Sequence, residues 1–188
     1  MKTLAAILAA ASLLASAPAE ARPQDWRIDA SASTLDFVYL INGAPRRGAF
    51  SGFAGEARFD PEALEEAELT FTVEVPSVDT GETFGTMIVK TNDWLSAYVH
   101  PEADYRLDRM IPLDGGLYRV EGVLTMKDVA LPVTGELAVS FPEGVAHAVG
   151  RVVFDRSAFN IGVGFTALFV EVGDEIAVEF DLIARPKE

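Results

Sequence analysis

The sequence predicts an all-β domain, and three observations lead there. Apolar and polar residues alternate through short segments, Gly, Pro and Asp punctuate those segments, and no long run of helical period is present. Alternation at period two places every second side chain on one face of a strand, so a half-buried sheet is written in the sequence as this pattern.

The segments follow in chain order. Leu35, Phe37, Tyr39 and Ile41 share one parity, and residues 49–59 read as the next strand. Leu69, Phe71, Val73 and Val75 line one face, with Thr70, Thr72 and Glu74 between them. Residues 105–111 and 117–126 read as a strand pair around the turn Asp114-Gly115-Gly116. Leu131, Val133, Leu137, Val139 and Phe141 come next, then Ala146, Ala148, Val152 and Phe154. Last are Ile176, Val178, Phe180 and Leu182, opposite Glu179 and Asp181. About eight strands at this spacing suit a sandwich or an up-and-down barrel, and periodicity does not choose between them. The exception is residues 82–96, which predict a short helical excursion with Asn92 or Asp93 as its cap, either a lid or plug beside a barrel mouth or a surface crossover.

Residues 1–21 read as a cleavable secretory signal peptide. A basic start at Lys2 leads into a short apolar run, and small residues occupy the cleavage positions Ala19 and Ala21. Residues 22–188 are then one exported domain, expected in the periplasm. Removing Lys2 and Glu20 with the leader takes one charge of each sign, so the domain keeps the net charge of −14. A nucleic-acid partner needs a basic stripe to neutralise phosphates, and this excess of acid speaks against one, as it does against electrostatic docking on an anionic leaflet. There is no cysteine, which excludes disulfides, thiolate catalysis and cysteine-held zinc.

Catalytic chemistry finds little support. His100 precedes a proline, and His147 sits on a strand with its ring turned away from the Ala146 and Ala148 face. Neither has a partner in the sequence that would make it a general base, and no metal-ligand spacing is present. Ser77 lacks a nucleophile elbow, and Ser77, Asp79 and Thr80 read as turn formers after Pro76. Glu65 and Glu66 lie in an acidic surface stretch. No catalytic residue, metal or covalent cofactor is expected. The aromatic content, with 12 Phe and 2 Trp, suits either a packed core or the wall of a cavity.

The order of the pieces carries a resemblance. Trp26-Arg27-Ile28-Asp29 followed by Ser33-Thr34-Leu35-Asp36-Phe37 resembles the opening strand of the YceI-like family of polyisoprenoid-binding periplasmic proteins. Gly48-Ala49-Phe50 with Phe53-Ala54-Gly55, Ser77-Val78-Asp79-Thr80-Gly81, Leu124-Thr125-Met126-Lys127-Asp128-Val129 and Asp155-Arg156-Ser157-Ala158-Phe159-Asn160-Ile161-Gly162 are similar to its later signatures. The chain departs from the commoner pattern at Ala32, where a His is frequent, and Asn92-Asp93-Trp94-Leu95 is closer to a variant found near membrane b-type cytochromes.

This resemblance implies a lipocalin-like eight-stranded antiparallel barrel with one short helical excursion. The ligand implied is a polyisoprenoid or isoprenoid quinone, held in an apolar cavity by a carrier or buffer with no enzymatic activity. The partners implied are that long-chain lipid and, as the alternative reading, a membrane redox protein for which the domain is an accessory module, the chain being a monomer or homodimer. The expected cavity lining is Phe37, Tyr39, Phe50, Phe53, Phe71, Val73, Trp94, Met126 and Phe159.

Overall fold

The computed structural model describes residues 24–165, 168 and 171–187. The expected signal peptide, residues 1–21, lies outside them. Among the described residues there are eleven strands and one α-helix. The strands are β1 (Gln24–Ile28), β2 (Thr34–Ile41), β3 (Ala44–Phe50), β4 (Phe53–Phe59), β5 (Glu68–Glu74) and β6 (Val78–Asp79). After the helix α1 (Thr83–Val89) come β7 (Glu102–Pro112), β8 (Leu117–Met126), β9 (Val129–Ser140), β10 (Ala146–Asp155) and β11 (Glu175–Pro186).

All pairings are antiparallel, and the sheet closes on itself through β1, which bonds to β4 on one edge and β11 on the other. The closed ring is β1-β4-β5-β7-β8-β9-β10-β11, an eight-stranded barrel. Closure leaves no free edge in the ring for another strand to join.

The first three passes of the chain are each broken at one level of the wall. The β1–β2 pass breaks at residues 29–33, the β3–β4 pass at Ser51 and Gly52, and the β5–β6 pass at Val75–Ser77. The single strand expected over 49–59 is therefore two. Above the break β2, β3 and β6 pair as a flap continuous with β11, and β6 has no pairing with β7. Local chemistry holds each break. The Asp29 carboxylate accepts from Ser31 and from Arg185 Nε at 2.9 Å, and the Ser31 bond leads in holding that carboxyl below its usual pKa. Ser33 Oγ accepts from the Ile183 amide at 2.9 Å, which pins the jog to β11. Ser77 Oγ donates to the Glu74 carbonyl at 2.6 Å, beside Pro76, whose ring supplies no ladder donor. Asp79 Oδ1 accepts from the Gly81 amide and Thr86, so Ser77, Asp79 and Thr80 serve the turn.

The gap beside β6 is covered by residues 80–101, which contain α1. The helix begins at Thr83 with Glu82 at its N-cap and no side-chain cap, so Asn92 and Asp93 do not start it but lie in the turns that follow it. An N-cap side chain is a preference and not a requirement when packing fixes the helix.

Glycines shape the inner wall. Gly55 pairs with Phe71 and Gly150 with Phe180, and in each case the aromatic ring lies over the glycine of the neighbouring strand. Gly48 lies beneath the Phe37 ring in the same way, and Gly122 beneath Tyr105. A Cβ on Gly150 would stand 2.5 Å from the Phe180 ring and 2.6 Å from the Glu136 carbonyl, which is backbone and does not yield. Gly150→Ala should therefore lower stability by about 1–3 kcal/mol through overpacking. An unchanged urea midpoint would show that the ring does not rest on the glycine.

Candidate functional site

Inside the barrel is a cavity of about 500 Å³. That is within the roughly 300–1,000 Å³ of ordinary small-molecule sites. Its wall is built from the inward parity of the strands: Leu35, Phe37, Tyr39 and Ile41 of β2, Phe71 and Val73 of β5, Val178 and Phe180 of β11. The charged residues that reach it are Arg58 and Glu68 toward one end and Glu82 and Arg156 toward the other, so the middle is lined by apolar groups and the rings of Tyr39 and Tyr105.

One end is floored by aromatic rings. Trp26, 5% exposed, packs at 5.6 Å from Phe141, which stacks on Phe59, and Phe59 meets Tyr118 edge-on at 5.7 Å. The opposite end is the mouth. There α1 turns Phe84, Gly85, Ile88 and Val89 to the cavity, the one-turn spacing that puts them on a single face. Trp94 and Leu95 reach in from the following turns, and Ile161 and Val172 from the 156–174 loop. Phe84 both lines the cavity and is 70% exposed, which marks the opening.

Arg156 holds the mouth together. Its side chain is 11% exposed and its guanidinium donates to the carbonyls of Ile161 (2.7 Å), Gly162 (3.0 Å), Val172 (2.9 Å) and Gly173 (2.9 Å) and to Asp174 Oδ1 (3.2 Å). All five donor directions are used, and the charge also stands 6.0 Å from the Trp94 ring. One side chain thus joins both limbs of the loop to the turn that carries Trp94. Lys127 adds a second tie, donating from Nζ to the carbonyls of Asn92 and Asn160. Partial burial lowers its pKa.

Among the described residues, two buried donors in this wall lack a protein partner, Trp26 Nε1 and Tyr105 Oη. Loss of water around Tyr105, helped by Asp108 and Glu121, pushes its phenol up to about 12. Burial likewise raises Tyr39.

Of the nine residues expected to line the cavity, Phe37, Tyr39, Phe50, Phe71, Val73, Trp94 and Met126 do so. Phe53 and Phe159 do not. Phe53 has the inward parity but stacks on Phe71 at 5.6 Å and is covered by it and Leu35. Phe159 is 1% exposed, wedged against Phe154 at 5.4 Å beneath Trp94 and Ile161, where it supports the mouth. The sequence reading passed over Tyr105 and the clamp role of Arg156. Arg156 had one available signal, since residues 157–170 after it carry no charge to pair it.

The histidines are apart from the cavity. His147 Nε2 bonds Asp181 Oδ1 at 2.7 Å across β10 and β11, and His100 Nδ1 is 3.5 Å from Asp128. No group of three or more His, Asp and Glu placed to hold a metal occurs among the described residues.

The YceI-like domain model matches residues 26–184. The chain belongs to the YceI-like family. Among solved structures, this YceI-like chain is similar to BcnA of Burkholderia cenocepacia, at 30% identity and a TM-score of 0.77, over 83% of this chain and 98% of that one. It shares its fold with a polyisoprenoid-binding domain from Saccharophagus degradans, described as implicated in plant cell wall breakdown, at 15% identity and a TM-score of 0.68, over 86% and 98% of the two chains. A UPF0312 protein of Vibrio parahaemolyticus is 23% identical over 164 residues, covering 82% of this chain and 87% of the relative.

Two outcomes follow from the YceI-like site. Arg156→Gln leaves buried carbonyls without donors and should cost about 3 kcal/mol in urea unfolding. It should also open Trp94 to acrylamide quenching, and a variant as stable and as shielded as the parent would remove the clamp role. Tyr105→Phe deletes an unpartnered hydroxyl and should be neutral or stabilising by about 1 kcal/mol near neutral pH. Because the folded phenol titrates above the unfolded one, its share of stability is present below pH 10 and is lost as pH rises toward about 12. Melts across that window should fall less steeply in Tyr105→Phe than in the parent.

Proposed function

We propose that this protein is a lipid-binding carrier or buffer that holds a polyisoprenoid or isoprenoid-quinone chain in its barrel and works in the periplasm after cleavage of residues 1–21. The observation that carries the reading is the cavity itself: about 500 Å³, with aromatic rings packed at one end and its charged groups kept to the two ends. A polar metabolite would lose its hydration there with almost nothing to replace it. A neutral hydrocarbon chain gains about 0.8 kcal/mol for each methylene withdrawn from water. Summed over a long tail, this gain passes the ceiling of roughly 18–21 kcal/mol on non-covalent affinity, so ordering costs and incomplete burial must offset part of it. Chain length is then weakly discriminated.

Membership of the YceI-like family supports the reading, as does the polyisoprenoid binding named for the Saccharophagus domain of the same fold. The basic start, apolar run and small cleavage residues support export. A pyrophosphate head group does not suit the interior, because the guanidinium of Arg156 is already spent on backbone carbonyls.

The test is to express the full chain, purify the exported form, extract it with organic solvent and identify prenyl lipids by mass spectrometry. Prenyl lipid should be recovered near stoichiometrically. Ala148 faces the cavity from β10, so Ala148→Trp should fill the space and reduce that recovery while leaving the circular dichroism unchanged. Solvent extracts free of prenyl lipid from the parent, or equal amounts from parent and filled variant, would overturn the proposal.

A further inference from the structure

Among the described residues, the most exposed apolar side chains all lie on the segments around the mouth. Phe84 and Met87 of α1 are 70% and 58% exposed, Tyr98 and Val99 81% and 62%, and Val163, Phe165 and Leu168 58%, 69% and 78%. The other exposed large apolar residues among those described are between 39% and 45% and are spread over strand faces and turns. All seven belong to the three segments that make the mouth. The segments are bonded to one another there: the Gly162 amide donates to the Asp93 carbonyl at 2.7 Å, and the 171–173 limb is tied to Leu40 and Asn42.

Charge sharpens the contrast. Residues 83–89, 94–99 and 157–170 carry no Asp, Glu, Lys or Arg, in a chain that is 23% charged with a net charge of −14. A surface kept only for solubility would not gather its most exposed apolar groups on segments that carry no charge.

We infer that the mouth is a membrane-docking surface, at which these aromatic and aliphatic side chains insert into the interfacial layer of a bilayer of low surface charge. Three features favour a bilayer over a protein partner. The surface is continuous with the apolar cavity through Phe84, which belongs to both. Tyr98 and Leu168, on different segments, are 81% and 78% exposed, which suits insertion as individual wedges, where a protein-binding face packs its members around a shared pocket. The remaining acidic surface has no use for anionic lipid, so attraction is apolar and not coulombic. Docked this way the cavity opens onto acyl chains, and a hydrocarbon ligand passes between membrane and barrel without crossing water. That purpose rests on the lipid-carrier reading, but the docking is measured without any isoprenoid ligand, so the two fail separately.

The experiment is co-sedimentation of the purified, delipidated exported chain with phosphatidylcholine vesicles. The parent should pellet with the vesicles. A Tyr98→Ser, Val163→Ser, Leu168→Ser variant, whose three sites lie outside the cavity lining, should partition about tenfold or more weakly with an unchanged melt. Leu117→Ser with Val149→Ser, exposed on β8 and β10 away from the mouth, should partition like the parent. Replacing about a third of the lipid by phosphatidylglycerol should weaken binding at low salt and restore it as salt rises. The proposal is overturned if the parent stays in the supernatant, if the mouth variant pellets like the parent, or if anionic lipid strengthens binding. It is overturned equally if vesicles do not bind and the mouth variant instead abolishes a dimer seen in analytical ultracentrifugation, since the occupant is then a second copy of the chain.

Discussion

The open interior depends on how aromatic side chains meet glycines on the neighbouring strand. A barrel of eight strands is only wide enough for its own side chains or for one ligand, and rings of this size would fill it if they pointed at the axis. Phe37 over Gly48, Phe71 over Gly55 and Phe180 over Gly150 are instead laid along the wall, because the missing Cβ leaves a notch for each ring. The rings then add smooth apolar surface without consuming the volume. The same device covers the bare backbone of glycines that would otherwise weaken their strands.

The mouth has the opposite construction. Three neighbouring passes of the chain are interrupted at one level, so the wall there flares and leaves a gap that no ladder of backbone bonds spans. Side chains and a few isolated backbone bonds replace the missing ladder. Arg156 and Lys127 donate to carbonyls of segments distant in sequence, and Phe159 wedges the assembly from below. The walls are therefore held by many cooperative backbone bonds and the mouth by a few point ties, which places the lower local stability where the cavity opens.

The walls were readable from sequence because period-two alternation is enforced by the strand itself. The four-residue sets on β2, on the 69–75 pass, on β10 and on β11 all reach the cavity. What parity does not encode is height above the wall. Phe53 and Phe71 have the same inward sense, yet one covers the other, and only their stacking geometry decides which faces the space. The break at Ser51 and Gly52 was passed over because the two segments were read as one strand, although the inward parity changes across it, from Gly48 and Phe50 to Gly55, Ala57 and Phe59. The absence of a capping side chain on α1 was equally invisible, since packing of the partly buried Ile88 and Val89 against the mouth does the work that Asn92 or Asp93 was expected to do. Tyr105 looked like any strand aromatic, and its unpartnered hydroxyl is a property of the packed wall alone.

The aromatic floor formed by Trp26, Phe59, Tyr118 and Phe141 has a kinetic consequence. A tube packed with rings at one end and open at the other has a single favoured entrance. Under the proposed lipid-binding function, a second molecule would not displace the first from behind, and a bound chain would leave by the route it entered, tail following head or head following tail. Turnover would then be governed by withdrawal through the mouth.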